Sequence, residues 1–276
     1  MRASSRHQET DRRPNRLLSP SMFSRSSRPA ALVLLSFFSV VACNHRESRS
    51  PSPPVFIISV DTLRSDHLPV YGYRNVRTPA IDALAADAIV FDHAYSNCPL
   101  TLPSHATVFT GLLPAETGVR DNLGYRLSPQ LATLASILKA KGYVTGAAVS
   151  AYVLRGETGI SRGFDFYDDK IAERADQALG GIQRSGDETE TILDHWIGVH
   201  RTQPLFAFLH LYEPHSPYSA PEPFRSQFSP YDAEIAHADA IVGRFIDSLK
   251  AKGLYDQALI IFMSDHGEGL GEHGED

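Results

Sequence analysis

Acidic and imidazole side chains follow several apolar runs of this 276-residue chain, at the points where predicted strands end. Asp61 directly follows the run VFIISV, and Asp265 and His266 directly follow ALIIFMS. His215 lies a few residues beyond the run PLFAFLHLY. Because ligands of open α/β sheets bind outside the carboxyl ends of the strands, these side chains are expected to share one edge of the sheet. Oxygen and imidazole ligands suit Ca²⁺, Mg²⁺, Mn²⁺ or Zn²⁺, so the pattern favours a metal site over coincidence.

A hydroxyl-bearing residue, Thr101, lies in a segment that carries helix start and stop signals. Pro103 is typical of a first helical turn, and Gly111 is typical of the position that follows a helix. Thr101 is therefore expected at a helix N-terminus, where free backbone N–H groups and the helix dipole favour an anion. A hydroxyl held there beside a divalent cation can ionise and attack an ester of phosphate or sulfate. On the local sequence alone, the favoured interpretation is that Thr101 only caps the helix.

Strand-like and helix-like patterns alternate along the chain from Val55 onward, and they must supply the framework for these residues. The predicted strands cover residues 55–61, 90–96, 143–150, 204–212 and 258–264. The predicted helices begin at Thr78-Pro79 and Ser128-Pro129, or cover 187–201 and 231–252. Residues 154–186 are rich in glycine and charge and are expected to form a surface excursion. The alternation predicts an α/β fold with a mostly parallel, doubly wound sheet flanked by helices.

The N-terminal part of the chain predicts export rather than folding. Residues 1–43 combine a basic flank with a short apolar run that is too short to span a bilayer, as in a secretory signal peptide. Their VVAC ending resembles the lipobox of bacterial lipoproteins, in which the cysteine, here Cys43, is lipidated; an ordinary signal peptide is the alternative. Residues 44–54 are polar and rich in Pro and Ser, as expected of a tether. We therefore expect a bacterial cell-envelope protein, anchored by lipid on the outer-membrane or periplasmic side, or secreted.

The charge distribution argues against one class of partner. The formal net charge is -6, although residues 1–42 carry seven arginines against only Glu9 and Asp11. The remaining body is therefore strongly acidic, and nucleic acid is not an expected partner because binding it requires clustered Lys and Arg. The two cysteines are too few for a disulfide scaffold or a four-thiolate zinc site.

Several sequence blocks resemble the sulfatase family within the alkaline phosphatase superfamily. They are VDTLRSDHLPVYGY, RTPAIDALA, PLTLPSHATVFTGLLPAETGVRDN, LHLYEPHSPY and SDHGEGLGEHGE, in the order that the family has them. The resemblance runs from about Val55 to the last residue, so residues 55–276 are expected to form the N-terminal portion of a sulfatase-like catalytic domain. It implies a doubly wound α/β enzyme with one divalent metal ion and a nucleophile at the start of a helix.

The resemblance also assigns roles to individual residues. Carried onto this sequence, it implies that Asp61, Asp265, His266 and the Thr101 oxygen bind the metal, and that Thr101 is the nucleophile. Asn122, in the TGVRDN block, resembles the residue that contacts the ester oxygens. His215, in the H-x-P block, resembles the catalytic histidine near the leaving group.

The sequence departs from the family pattern at two places. The sulfatase signature runs Cys or Ser, any residue, Pro, Ser, Arg, whereas this chain has Thr101 first and His105 last, which makes His105 a further candidate catalytic residue. Threonine cannot give formylglycine, so that modification is not expected. A Thr nucleophile instead resembles phosphodiesterases and phosphoethanolamine transferases of the superfamily. Thr62 stands where many sulfatases have a second Asp, which favours Zn²⁺ or Mn²⁺ over Ca²⁺, with Ca²⁺ still possible.

The remaining histidines of the matching blocks are interpreted differently. A structural role through hydrogen bonds is favoured over a direct chemical role for each of four histidines: His67, His93, His210 and His273. The chain also stops inside the last block, so a fragment of a longer protein is expected.

Three functions follow as hypotheses. The first is a metal-dependent hydrolase or transferase that uses Thr101 on phosphate or sulfate esters, with phosphate esters and diesters favoured. The second is a conventional sulfuric ester hydrolase, and the third is a catalytically inactive lipoprotein that keeps the fold as a binding module. The expected substrate is a small molecule or a glycan or lipid ester, and the expected membrane contact is the N-terminal lipid.

Overall fold

A computed structural model describes residues 52–172 and 182–274 of the chain. The predicted signal peptide with Cys43 and most of the 44–54 tether lie outside these residues. No helix in the described ranges has the length and apolar character that crossing a bilayer requires.

The core of the fold is a five-stranded parallel sheet. Its strands are β1 (Val55–Val60), β2 (Val144–Val149), β3 (Phe166–Asp168), β4 (Leu205–Leu211) and β5 (Leu259–Ser264). They are arranged in the order β3-β2-β4-β1-β5, and every neighbouring pair is parallel. The carboxyl ends of β1, β4 and β5 therefore meet at one edge, and the predicted α/β fold with a parallel sheet flanked by helices is confirmed.

Helices cover both faces of this sheet. They are α1 (Pro79–Ala86), α2 (Thr101–Thr110), α3 (Pro114–Thr117), α4 (Leu134–Ala140), α5 (Gly186–His200), α6 (Phe224–Gln227) and α7 (Pro230–Ala251). One apolar cluster joins α1, α5 and α7 to side chains such as Phe56 and Ile58. A second cluster joins α2 and α4 to Ile57 and Phe208 on the opposite face. Because side chains alternate along a strand, Ser59, Asp61 and His210 are placed on the α2 face with this second cluster.

The predicted strand over residues 90–96 is wrong. The structure assigns no strand there, and the side chains of Phe91 and Tyr95 are 69% and 87% exposed. The residues have strand-forming side chains, but no neighbouring strand in the described part of the chain supplies backbone partners. Strand propensity acts only through such pairing and burial.

Two predicted helix starts differ from the structure. The helix predicted from Ser128 begins only at Leu134, because the Thr133 side chain accepts a hydrogen bond from the backbone N–H of Ser136 at 3.1 Å and caps the helix there. Thr78 precedes α1 as predicted, but it does not cap the helix through its side chain. Asp239 of α7 does so instead, since it accepts from the backbone N–H groups of the first turn of α1.

The two edge strands also differ from the sequence interpretation. The segment 154–186, expected to be a surface excursion, contributes β3 to the sheet, a strand of three residues that is too short to leave a pattern. The run 258–264 forms β5 as predicted, but its continuous apolar character, which is typical of a buried strand, does not match its place in the sheet. It is an edge strand, and Leu259 and Ile261 are exposed because one of its sides has no neighbour in the described sheet.

Candidate functional site

The carboxyl ends of β1 and β5 bring two carboxylates and an imidazole together. Asp61 and Asp265 are almost fully buried, and the ligand atoms of Asp61, Asp265 and His266 all lie within 4.8 Å of one another. His266 Nε2 lies 3.6 Å from Asp61 Oδ1 and 3.5 Å from Asp265 Oδ2. Asp61 precedes Asp265 and His266 by about 200 positions in sequence, and the three meet because β1 and β5 are adjacent and parallel.

The hydrogen bonds of these residues leave selected ligand atoms without partners. Asp265 Oδ1 accepts from the backbone N–H groups of Thr62 and His266, at 3.2 and 3.0 Å. Its Oδ2 and Asp61 Oδ1 are both buried without a hydrogen-bond partner among the described residues. His266 Nδ1 donates to the carbonyl of Gly267 at 2.8 Å, which leaves a lone pair on Nε2. Two carboxylate oxygens without hydrogen-bond partners therefore converge with one imidazole nitrogen, whose neighbour is the Thr101 hydroxyl.

Thr101 completes this group from α2. It is the first residue of that helix, it is buried, and its Oγ1 lies 3.3 Å from His266 Nε2 and 3.5 Å from Asp61 Oδ2. The hydroxyl thus lies at the positive end of a ten-residue helix and beside the two ligand strands. Gly111 follows the helix with φ of 70°, as predicted.

The donor set fits a divalent cation. Ligands at the corners of a tetrahedron with bonds of about 2.0–2.2 Å are about 3.3–3.6 Å apart. The three distances from His266 Nε2, to Thr101 Oγ1, Asp61 Oδ1 and Asp265 Oδ2, fall within that range. Burial, followed by the negative charge of Asp265, raises the pKa of Asp61 well above its usual value. Two facing buried carboxylates are costly to ionise unless a cation compensates them, so the electrostatics agree with the geometry.

Neighbouring side chains hold the parts of the site in place. Asn122 Oδ1 accepts from the backbone N–H of Leu102 at 2.8 Å, which places the Asn122 amide at the start of α2, next to Thr101. Ser104 Oγ donates to the carbonyl of Asp265 at 2.8 Å and ties α2 to the end of β5.

His105 lies beneath Thr101 rather than facing solvent. It is fully buried, its Nδ1 donates to the carbonyl of Thr101 at 2.7 Å, and its Nε2 accepts from Ser59 Oγ at 3.0 Å. Burial lowers the pKa of His105, in agreement with a neutral ring whose two nitrogens are both hydrogen-bonded. Its place therefore suits the support of Thr101 better than contact with a substrate.

His215 lies beyond β4, beside the group but outside it. Its Nδ1 donates to the carbonyl of Ser216 at 2.6 Å, and its ring stacks on Tyr212 with centroids 4.6 Å apart. It lines a polar cavity of about 260 Å³ together with Glu213. The described residues show no hydrogen bond between His215 and Thr101.

Two features of the site were not predicted from the sequence. His210, expected to be a hydrogen-bonded structural residue, is fully buried with no hydrogen-bond partner for either ring nitrogen among the described residues. Its Nε2 lies 3.6 Å from Asp61 Oδ2. Thr62 has a left-handed backbone with φ of 53°, and this conformation turns its N–H towards Asp265. Strand alternation could have placed His210 on the Asp61 face, whereas no sequence signal predicts the Thr62 conformation.

Comparison with known proteins identifies the family to which this arrangement belongs. The sulfatase family profile matches residues 53–276. The chain belongs to the sulfatase family. The match covers all the described strands and helices, and it agrees with the resemblance that the sequence blocks carry.

Individual relatives cover most of this chain but are longer than it. The chain is 27% identical to an ulvan-active sulfatase of Formosa agariphila over 91% of its length, which is 58% of that protein. It is 26% identical to human N-acetylgalactosamine-6-sulfatase, covering 81% of this chain and 52% of that protein. A solved structure, the phosphonate monoester hydrolase of Agrobacterium radiobacter, shares the fold with a TM-score of 0.68 at 22% identity, over 81% of this chain and 64% of that one. The chain thus spans between half and two thirds of these relatives.

Proposed function

We propose that this sulfatase-family chain carries a metal-dependent ester hydrolase or transferase site in which Thr101 is the covalent nucleophile. The observation that supports the proposal most directly is the position of Thr101 Oγ1, at the N-terminus of α2 and 3.3 Å from His266 Nε2. Asp61, Asp265, His266 and Thr101 are the proposed ligands of one divalent metal ion. Their mixed oxygen and nitrogen donors favour Zn²⁺ or Mn²⁺, and Ca²⁺ is the weaker fit.

Each residue of the site has its own proposed role in the reaction. A bound cation supplies positive charge that favours ionisation of a nearby hydroxyl and offsets negative charge on the ester. Thr101 Oγ1 loses its proton to solvent water and attacks the phosphorus atom, and the bond from phosphorus to the leaving oxygen breaks. The start of α2 and the Asn122 amide bind the non-bridging oxygens. His215 gives a proton to the leaving oxygen, and water or an acceptor alcohol then displaces Thr101.

The nucleophile also favours one class of substrate. A hydrated formylglycine attacks the ester and then collapses, which expels the sulfate as a leaving group. Threonine cannot follow that route. A threonine ester must be cleaved by a second in-line attack, a double displacement that suits phosphoryl groups. We therefore favour phosphate monoesters and diesters over sulfate esters. Among the relatives, the ulvan-active sulfatase supports the alternative of a sulfate ester on a glycan, and the phosphonate monoester hydrolase shares this fold.

An assay with matched substrates tests the proposal. The purified protein is given aryl phosphate, bis-aryl phosphate and aryl sulfate, each with Zn²⁺, Mn²⁺, Ca²⁺ or a chelator. The phosphate or diester substrate should be turned over with metal, and mass spectrometry should find a phosphoryl group on the Thr101 peptide. Thr101→Ala should lower kcat/KM by at least roughly 1,000-fold even at metal concentrations that saturate the remaining ligands Asp61, Asp265 and His266, whereas Thr101→Ser keeps the hydroxyl and should retain activity within about tenfold.

Other outcomes of the assay identify the alternatives. A preference for aryl sulfate would make the chain a conventional sulfatase and contradict the phosphate assignment. Metal binding without turnover of any ester, together with tight binding of an ester analogue, would identify an inactive binding module.

We also propose that the protein is exported and anchored by lipid at Cys43, on the outer-membrane or periplasmic side of a bacterial envelope. Support comes from the VVAC ending of the apolar run and from the polar tether that follows it. Cys43→Ala should release the protein from the membrane fraction and abolish labelling with a radioactive fatty acid. A variant that stays in the membrane after a high-salt wash would contradict the anchor.

A further inference from the structure

His210 occupies the centre of the sheet, close to the end that carries the site. It is the penultimate residue of β4, it pairs in register with Ser59 of β1 and Val149 of β2, and it is fully buried. Its ring lies on the α2 face, with centroids 5.0 Å from His105 and 6.3 Å from Phe208. A residue in this place cannot be reached from solvent, so any role must be exercised through its neighbours.

The hydrogen-bonding capacity of His210 is unused in the described part of the chain. An imidazole carries at least one ring N–H whether it is neutral or protonated, and leaving a buried donor without an acceptor costs about 1–3 kcal/mol. Asp61 Oδ2, which lies 3.6 Å from Nε2, is the acceptor that the geometry offers.

The two oxygens of Asp61 face different neighbours. Oδ1 faces His266 Nε2 and has no hydrogen-bond partner among the described residues, whereas Oδ2 lies between Thr101 Oγ1 and His210 Nε2. A hydrogen bond to Oδ2 would fix the rotation of this carboxylate. Groups that hydrogen-bond a ligating carboxylate in this way commonly change metal affinity by about 10–100-fold.

We infer that His210 is a positioning residue of the cation site, whose Nε2–H donates to Asp61 Oδ2 and thereby reserves Oδ1 for the cation. The inference rests on the proposed metal site. The distance of 3.6 Å exceeds an ordinary N–H···O bond by about half an ångström, so a small rotation of either side chain completes the contact.

A second cation bound by His105, His210 and Asp265 is the competing use of the same atoms, since their ligand atoms also lie within 4.8 Å of one another. Both ring nitrogens of His105 are already committed, to the carbonyl of Thr101 and to Ser59 Oγ. His105 would have to lose one of these hydrogen bonds to bind a cation. The arrangement therefore favours a hydrogen-bonding role for His210 over a ligand role.

Three substitutions at one position test this role in the full chain. In His210→Gln the amide nitrogen lies about where Nε2 lies, in His210→Asn it reaches only to the level of Nδ1, and His210→Phe removes the donor but keeps an aromatic ring. Zn²⁺ affinity is measured by competition with a chelator, and coordination is followed by the visible absorption of the Co²⁺-loaded protein. The metal-free thermal midpoint of each variant serves as the control for folding.

The expected pattern separates positioning from simple packing. His210→Gln should bind Zn²⁺ within about threefold of the parent, whereas the Asn and Phe variants should bind about 10–100-fold more weakly and shift the Co²⁺ spectrum. His210→Phe should nevertheless keep a metal-free thermal midpoint close to that of the parent, because its aromatic ring fills the same buried space.

The remaining outcomes distinguish this inference from the proposed function. A parent that binds one cation, with all three variants binding equally well, would overturn the role of His210 alone. Two cations in the parent and one in each variant would make His210 a ligand and overturn it as well. A parent that binds no cation would overturn the proposed metal site together with this inference. If the parent binds a cation but has no esterase activity, the proposed reaction fails, and the relative Zn²⁺ affinities of the three variants still decide the role of His210.

Discussion

At the scale of single residues, the site depends on a backbone conformation that its residue type disfavours. Thr62 is β-branched and has φ of 53°, and its buried Oγ1 has no hydrogen-bond partner in the described structure. A non-glycine residue in such a conformation stores about 1–3 kcal/mol of strain. The strained conformation supports the site, because it directs the N–H of Thr62 to Asp265 and the carbonyl of Thr62 to the hydroxyl of Tyr231.

Replacing this residue by glycine should therefore stabilise the protein. Thr62→Gly removes both the backbone strain and the buried hydroxyl that has no hydrogen-bond partner. Against this, the greater freedom of glycine in the unfolded chain lowers the free energy of unfolding by about 0.5–1 kcal/mol. The expected net effect is a rise of about 1 kcal/mol in the free energy of unfolding, measured by urea denaturation. Thr62→Ala, which keeps the strained φ, is the matched control, and a glycine variant less stable than the alanine variant would contradict this account.

Residue types and their positions after apolar runs were enough to predict which ligands meet. Asp61, Asp265 and His266 were selected because parallel strands end at one edge, and the structure brings their ligand atoms within 4.8 Å. His210 was not selected, because a histidine within an apolar run has the same sequence signature whether or not its ring finds a partner. Hydrogen-bond satisfaction depends on residues distant in sequence, such as Asp61, and single-sequence patterns do not contain it.

At the scale of secondary structure, α7 controls the start of α1 through one buried acid. Asp239 accepts hydrogen bonds from the backbone N–H groups of Ala80 and Ile81, at 3.3 and 2.8 Å. Burial outweighs these bonds and raises the pKa of Asp239 from 3.8 to about 6. The folded state therefore holds this proton to higher pH than the unfolded state does.

The sign of the resulting pH dependence follows from this difference. Below about pH 4 the carboxyl is protonated in both states, and between about pH 4 and 6 the unfolded state ionises first, so stability falls as the pH rises. Relative to Asp239→Asn, the parent should lose about 1–3 kcal/mol of unfolding free energy between pH 4 and 7 and then level off. Urea unfolding at several pH values measures the difference, and parallel profiles for the two proteins would show that burial of Asp239 is not the cause.

The contact between β2 and α5 makes a second prediction at this scale. A Cβ atom at Gly146 of β2 would lie 2.5 Å from the ring of Trp196 of α5, closer than any real contact allows. Gly146→Ala should therefore lower the unfolding free energy by about 1–3 kcal/mol through overpacking. Gly198→Ala is the matched control within α5, because its Cβ would meet only the flexible Lys252 side chain at 3.4 Å and should be neutral or stabilising. Equal stability of the two variants would contradict this packing argument.

Most elements were predictable because their patterns are local, and the exceptions have physical causes. The strands 55–60 and 205–211 are apolar runs interrupted by one polar residue each, the strand 144–149 is rich in Val and Ala, and the pattern of α7 repeats over 22 residues. The erroneous strand over residues 90–96 has the right residue types but no partner. Conversely, β3 forms a strand only because it pairs with β2. Its three residues are too few to show a hydrophobic pattern.

At the scale of the whole molecule, the proposed cation is expected to stabilise the fold. Asp61 and Asp265 are buried and face each other, so a cation that binds only the folded state adds about 2.7 kcal/mol at a hundred times its Kd. For a domain of this size the thermal midpoint should rise by about 5–10 °C on addition of Zn²⁺.

Asp265→Asn should abolish most of this rise in differential scanning fluorimetry. Glu188→Gln, which alters an exposed acid in the first turn of α5, should leave it intact. A rise that persists unchanged in the Asp265 variant would place the stabilising cation elsewhere on the molecule.

The separation of the site residues along the chain has a consequence for how the proposed metal would be acquired. Thr101 lies 40 residues from Asp61, but His266 lies 165 residues beyond Thr101 and is delivered by the edge strand β5. Contacts of such long range form late, because the intervening chain must first be ordered. On the ribosome, the first two proposed ligands emerge well before the last two, and the proposed chelating group is incomplete until β5 has paired with β1. Under this proposal, binding of the cation requires completed folding, and a partly synthesised chain cannot bind it.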